Sequence, residues 1–404
     1  MTRILIILIV LNLTHSLMAQ FMLPVQQDTT KSAFNNEFTL NGIADYQSTS
    51  IGKDISKSFF YGGLIDEEMK TESSQRHQLI NRFGIDVNSE IAYRNHKVNL
   101  FKDTLKGLQL NYGFYNFSSI QYTEDAFDLF FFGNSNFIGD TAILTGSRFD
   151  SFTFQKVGFG WFNKYTKSSV TFNAIGIQNI STGYVQKGQL FQSADVDSVG
   201  LILDGVYSSS NPSFFSGFGL AIDLDYRFNM PRNEDERIYF QFLARNIGVV
   251  CLPKVQSYNI NSTLNYSAYT IDELLNTSTA FNHSQGVSDS FTDSITEETR
   301  FMILPGLLQF TKLVDLSSEK VVQGFYGARA YLSSSFMPMF FGGIDLRTSS
   351  WYRLGLQASY GGFSNFRWGI YSEISFPKFN LGIASENLFS KTGESLIIRM
   401  TCAF

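Results

Sequence analysis

Cysteine is almost missing from this 404-residue chain, with only Cys251 and Cys402 present. Two such residues provide neither a metal-binding spacing nor a disulfide framework. Cys402 shares the apolar face of its strand pattern, which argues against pairing with Cys251. Histidine is equally scarce: His15, His77, His96 and His283 occur with no two at ligand spacing. No Gly-x-Ser-x-Gly, no phosphate-cradling glycine loop leading into a helix and no Ser/His/Asp grouping occurs. The expectation is therefore a protein that is not an enzyme, with no catalytic residue, no cofactor and no metal site. Basic charge is in deficit as well. The formal net charge is −5, and no stripe of Lys and Arg exists to neutralise phosphates, so nucleic acid is excluded as a partner. There are seven prolines, and no Pro/Gly/Ser-rich linker splits the chain into two domains. Beyond the first 13 residues, no run approaches the ~18 apolar residues that a spanning helix needs.

The start of the chain accounts for that first run. Met1-Thr-Arg3 is a short positive segment, and Ile4 to Leu13 is apolar except for Asn12. Ser16-Leu-Met-Ala19 then supplies a small residue before Gln20. This is the layout of a cleaved secretory signal over residues 1–19. No cysteine follows it, which argues against a lipid-anchored lipoprotein. An exported chain without a helical anchor is either soluble or a β-barrel.

Aromatic residues are abundant: 41 Phe, 19 Tyr and 3 Trp, with a mean hydropathy near zero. In a membrane barrel only alternate residues face lipid, so hydropathy stays modest while aromatic girdles raise Phe and Tyr. A single soluble sandwich would be too small for the chain remaining after residue 19. The pattern of the strands separates the two possibilities. Over Gly217–Asn229, Phe218, Leu220, Ile222, Leu224, Tyr226 and Phe228 form one face, while Asp223, Asp225, Arg227 and Asn229 share the other. Charges at alternate positions cannot sit in a dry core without partners. They fit a wet lumen behind a lipid-facing wall. The last ten residues repeat the pattern: Leu396, Ile398, Met400, Cys402 and Phe404 alternate with Ser395, Arg399, Thr401 and Ala403, and Ile397 is the apolar exception.

Roughly 16 segments of ~10 residues carry this alternation, the length a spanning strand requires. The expected fold is all-β: a transmembrane antiparallel β-barrel of about 14–16 strands over residues 79–404. Residues 20–78 are expected to form an N-terminal periplasmic arm or lumenal plug, with one strand conceivable near Phe38–Tyr46. Counting back from Phe404 puts the acidic stretch 268–300 outside the cell and the short turns Thr348–Ser350 and Pro377–Lys378 on the periplasmic side. The same count puts residues 120–150 on the periplasmic side. Two readings of that aromatic segment stand open. One is a lumenal constriction with Phe130, Phe131 and Phe132 along a hydrophobic path. The other is a short helix or extra hairpin sealing the barrel end.

Several diffuse glycine–aromatic motifs carry a family resemblance: Phe59-Phe-Tyr-Gly-Gly63, Leu129-Phe-Phe-Phe-Gly-Asn-Ser-Asn136, Phe152-Thr-Phe-Gln-Lys-Val-Gly158, Ala244-Arg-Asn-Ile-Gly248 and Tyr360-Gly-Gly362. Through them the chain resembles a Bacteroidota outer-membrane barrel family known only as a domain of unknown function. That family is similar in architecture to fatty-acid-transporter-like barrels and to accessory barrels of type IX secretion. The resemblance implies an outer-membrane location and a terminal Phe404 read by the barrel-assembly machinery. The expected partners are outer-membrane lipid, that machinery, and other outer-membrane or periplasmic subunits. Two functions compete: a channel or transporter for small hydrophobic or amphipathic compounds, and a non-transporting scaffold or accessory subunit of a secretion or surface-protein complex.

Overall fold

In the computed structural model the described residues are 26–27, 34–231, 237–267 and 294–404. The expected signal segment 1–19 and most of the acidic stretch 268–300 lie outside them.

Nineteen strands are present among the described residues: β1 (Gln26–Gln27), β2 (Asn36–Ser48), β3 (Ile80–Asn95), β4 (Lys106–Thr123), β5 (Thr141–Ile143), β6 (Arg148–Asn163), β7 (Ser169–Gln192), β8 (Ser198–Ser210), β9 (Gly217–Pro231) and β10 (Arg237–Ser267), followed by β11 (Ser294–Ile303), β12 (Leu307–Lys312), β13 (Val314–Asp315), β14 (Val322–Tyr331), β15 (Met337–Arg347), β16 (Tyr352–Gly362), β17 (Phe366–Phe376), β18 (Phe379–Leu388) and β19 (Gly393–Ala403). β1 and β13 form a separate parallel pair, and the other seventeen close into an antiparallel barrel in which β19 pairs with β2, from Gly393 opposite Gln47 to Ala403 opposite Glu37. The wall has 14 positions. β9 fills the position between β7 and β10, and β8 continues that position beyond the wall. β11 and β12 are two halves of one strand along β10, interrupted at Leu304-Pro-Gly306.

The alternation seen in the sequence sets which side chains enter. On β9, Leu220 is 74% exposed and Ile222 45% exposed on the outer surface, while Asp223 and Asp225 point inward to cationic partners. From β14 to β19 the strands are 10 or 11 residues long, about what a tilted transmembrane strand needs. Their outer faces carry aromatic residues at both ends. Trp351 stacks on Phe376 at one end, and Phe366 packs on Trp368 at the other, with Tyr360 also exposed there. An apolar outer wall between two aromatic bands is the geometry of a membrane-spanning barrel.

Phe404 and Asn36, near the two ends of the described chain, meet at one rim. Phe404 donates its N–H to Asn36 O, and Asn36 donates back to Phe404 O, each at 3.0 Å. The turns 348–350 and 377–378 lie at this turn end, as expected. Among the described residues the opposite, loop end carries three α-helices: α1 (Lys53–Tyr61), α2 (Glu67–Ser74) and α3 (Glu124–Phe132). Asp66 and Thr123 start α2 and α3 by accepting from the backbone N–H of Met69 and Ala126, at 2.8 and 3.2 Å.

Two expectations are corrected here. Residues 36–48, placed in an arm or plug, form a wall strand, so the barrel begins before residue 79. Residues 120–150 sit at the loop end, because β4 reaches that rim with Thr123 opposite Ile80.

Candidate functional site

The barrel interior is mostly filled. At the turn end it holds one cavity of about 580 Å3. Alternate inward residues of many strands line it, among them Glu37 and Asn41 of β2, Glu90 and Arg94 of β3, Asp225 and Arg227 of β9, and Arg399 of β19. The charges come as pairs. Arg94 lies 3.5 Å from Glu37 and donates to Gln109 at 2.9 Å. Arg227 lies 2.9 Å from Asp225, and Arg399 lies 3.3 Å from Glu373. Deepest is Lys156 of β6, fully buried, 2.8 Å from Glu90 and 2.7 Å from Asp223. Arg245 joins Glu90 at 3.4 Å, and the Tyr115 hydroxyl donates to Glu90 at 2.6 Å. Such compensation is what allows charges to be buried. At the mouth, Gln26 crosses the opening. Its carbonyl accepts from Arg227 at 3.1 Å, its side chain reaches Glu373, and β1 pairs in parallel with β13. Of residues 20–78, expected as an arm or plug, Gln26–Gln27 lie at this mouth, 36–48 form a wall strand and 53–74 lie at the loop end.

Toward the loop end the lining becomes apolar. Ile43, Leu243, Leu307, Phe325, Met339, Tyr371 and Ile397 form one buried cluster across the lumen. Ile397, the exception in the closing strand, points inward into it. Beyond lies a cavity of about 20 Å3, room for about one water. Asp45, Asp86, Arg329, Tyr331 and Glu386 border it, and Ile397 lines both cavities. Arg329 and Arg367 hold Glu386 at 3.1 and 2.9 Å, and the Tyr331 hydroxyl donates to Asp86.

The lumen closes at this level with aromatic rings. Phe117 lies 5.0 Å from Tyr331 and 5.9 Å from Phe363, and Phe336 lies 5.0 Å from both Tyr331 and Phe363. Phe363 gets there because Gly361 and Gly362 adopt φ of 104° and 77°, which turns the end of β16 inward. Its ring lies over Gly84, where a Cβ would come within 1.9 Å of it, so only glycine fits there. Phe130, Phe131 and Phe132 lie elsewhere. They occupy the last turn of α3, Phe130 is 72% exposed, and none of the three lines either cavity. Phe131 packs instead on Phe59 of α1 at 6.2 Å, and Phe127 packs on His77 at 4.0 Å, which joins the loop-end helices into a cap.

Neither the Lys156 cluster nor the aromatic closure was singled out from the sequence. Each left a signal: a lysine in phase with Phe152 and Phe154 on β6, and paired glycines before Phe363.

The wall itself is uneven. Between β2 and β3 the ladder pairs only at its two ends, Asn36 with Asn95 and Ser48 with Phe83. The residues between run side by side unzipped, and both cavities lie against them. Glu37, Asn41, Glu90 and Arg94 border the larger cavity; Ile43, Asp45, Gly84 and Asp86 border the smaller.

No family model and no curated protein matches this chain. Among solved structures it is similar to a TodX mutant monoaromatic hydrocarbon channel lacking S2S3, at 8% identity and TM-score 0.42, over 92% of this chain and 91% of that one. The toluene transporter TodX of P. putida is similar at 10% identity and TM-score 0.37, over 92% and 90%. The transport unit of the autotransporter AIDA-I from Escherichia coli follows at 7% and 0.27, over 94% and 93%. These are distant likenesses, and the fold rests on the strand pairing itself.

Proposed function

We propose that this protein is an outer-membrane barrel that passes small amphipathic or hydrophobic compounds sideways, between its lumen and the membrane, through the β2–β3 seam. The unzipped ladder carries the reading. Paired strands are what seal a barrel against lipid. Here the unpaired stretch separates lipid on one side from a charged cavity and an apolar cluster on the other. A molecule with a polar head and an apolar body has a partner for each part along that line. The seam has registered pairs to break only at its two ends, Asn36 with Asn95 and Ser48 with Phe83. Hydrocarbon channels such as TodX make a hydrophobic cargo a reasonable choice of probe.

A disulfide across the seam tests this. The end pairs set a register that puts Ala44 opposite Val87, so Ala44→Cys with Val87→Cys, in a Cys251→Ala/Cys402→Ala background, staples it. Oxidation should stop uptake of a hydrophobic dye into proteoliposomes, and reduction should restore it. Uptake at an unchanged rate when the staple is closed would remove the seam from the route.

One observation favours the second reading, a non-transporting scaffold or accessory subunit such as those of type IX secretion. The lumen is packed with paired charges and rings rather than left open. Stoichiometric subunits co-purifying in mild detergent, together with no dye uptake by the wild-type barrel, would make that reading the better one.

A further inference from the structure

Away from the lumen, the β3–β4 turn at the turn end departs from ordinary backbone. Phe101 and Lys102 are both left-handed, with φ of 55° and 58°. Two consecutive non-glycine residues in this region are costly, and such strain persists only where the surroundings enforce it. The strained turn swings Phe101 outward onto the barrel surface. Its ring meets Trp161 edge-on at 5.4 Å, and Trp161 lies 5.9 Å from Phe172. Trp161 is an outer-face residue of β6, two positions before the rim, between Leu108 and Val170 on the neighbouring strands. The three rings therefore continue the lipid-facing wall to its edge. Phe101 remains 69% exposed. Charge gathers on the same turn. Lys106 sits 5.8 Å from the centre of the Phe101 ring and 3.2 Å from Asp103, and Lys102 is exposed with no side-chain partner among the described residues.

We propose that this turn is a binding site for an anionic phospholipid of the leaflet at the turn end. Its phosphate sits against Lys102 and Lys106, and its acyl chain lies along Phe101, Trp161 and Phe172. Both parts of the occupant are specified by what is in place: a cationic pair at headgroup depth, and an apolar aromatic strip below it that is continuous with the wall. An aromatic ring flanked by lysine is the arrangement that anchors proteins at a membrane interface. Asp103 opposes the phosphate and is held by Lys106, so it sets how strongly the site prefers a negative headgroup. The site is independent of the β2–β3 seam.

The experiment uses full-length barrel in phosphatidylcholine nanodiscs, with Trp351→Phe and Trp368→Phe so that Trp161 is the only tryptophan of the three. Brominated phosphatidylglycerol and brominated phosphatidylcholine are compared as quenchers, with heat modifiability confirming the fold of every variant. Phosphatidylglycerol should half-quench Trp161 at a mole fraction lower by about fivefold for each engaged lysine. The double change Lys102→Gln/Lys106→Gln should bring the two lipids level. Asp103→Asn, which keeps the turn's bond to the Leu105 N–H, should widen the preference. Equal quenching by both lipids in the unmodified turn, or a preference that survives the double change, overturns the proposal.

Discussion

At the scale of the residue, Lys156 shows how much of the interior depends on compensation. It has no exposed surface, and its ammonium serves Glu90 and Asp223 together. Removing one member of a buried ion pair leaves the partner charged and unsolvated, at a cost of about 3–5 kcal/mol. Lys156→Met should lower the stability of the folded barrel by that amount, read as the urea midpoint of the heat-modifiable band. Lys156→Arg retains the charge and should lose much less. A Met variant as stable as wild type would mean the cluster is hydrated rather than compensated. The alternation on β6 fixes only that Lys156 shares a face with Phe152 and Phe154, and their burial shows that face to be the inner one. Its partners come from β3 and β9, and no local pattern reveals which distant strands bring a carboxylate to it. The same limit hides the aromatic closure. Gly361-Gly362 is visible as a turn signal, but the landing of Phe363 on Gly84 depends on barrel closure.

At the scale of the element, strand faces were legible and strand counting was not. β9 and β19 present the faces their sequences predict, because a period of two leaves no choice once one side is lipid. The error over residues 120–150 has a specific origin. β7 and β10 are 24 and 31 residues long and run past the wall to pair with β8. Read locally, each of these two strands looks like two spanning segments, and β8 looks like another. Three surplus strands is an odd number, which moves the segment to the wrong rim. A strand near Phe38–Tyr46 is legible in the sequence, but it is assigned to the arm rather than to the wall, because an apolar–polar strand beside charged helices resembles an arm. The closing strand yields a test at this scale. Phe404 clasps Asn36 through two backbone bonds, and its ring is 58% exposed at the rim. Deleting Phe404 removes both the clasp and an interfacial anchor, and so should lower the amount of heat-modifiable barrel in the outer membrane. Phe404→Tyr preserves both and should restore the level. Wild-type amounts after the deletion would show that assembly does not depend on this residue.

At the scale of the whole molecule, the barrel wall, unpaired only along the middle of β2–β3, surrounds a filled interior, and the filling is divided between two kinds of material. Paired charges occupy the turn end, and aromatic and aliphatic side chains occupy the loop end. The sequence leaves two readings open for the aromatic run around Phe130, Phe131 and Phe132, a lumenal constriction or a helix or hairpin sealing the barrel end; the run forms the helix α3 and lines neither cavity. Aromatic density here marks the cap: α3 buries Phe127 and leaves Phe130 exposed. The rings that cross the lumen arrive singly from β4, β14, the approach to β15 and the end of β16, so no window of sequence displays them together. This division predicts opposite outcomes for two sets of substitutions. Phe363→Ala removes the ring that lies over Gly84 and opens the space among Phe117, Tyr331 and Phe336. The loss of packing is of the order of 3–5 kcal/mol, but the inter-strand ladder that holds the wall is untouched. Wild-type barrel in a planar bilayer should conduct little, and Phe363→Ala should raise the single-channel conductance several-fold while keeping normal heat modifiability. The triple change of Phe130, Phe131 and Phe132 to Ala should leave conductance at the wild-type level and instead make the α1–α3 cap more sensitive to added protease. If the triple variant conducts and the Phe363 variant does not, the barrier is the cap, and the aromatic closure is only part of the core.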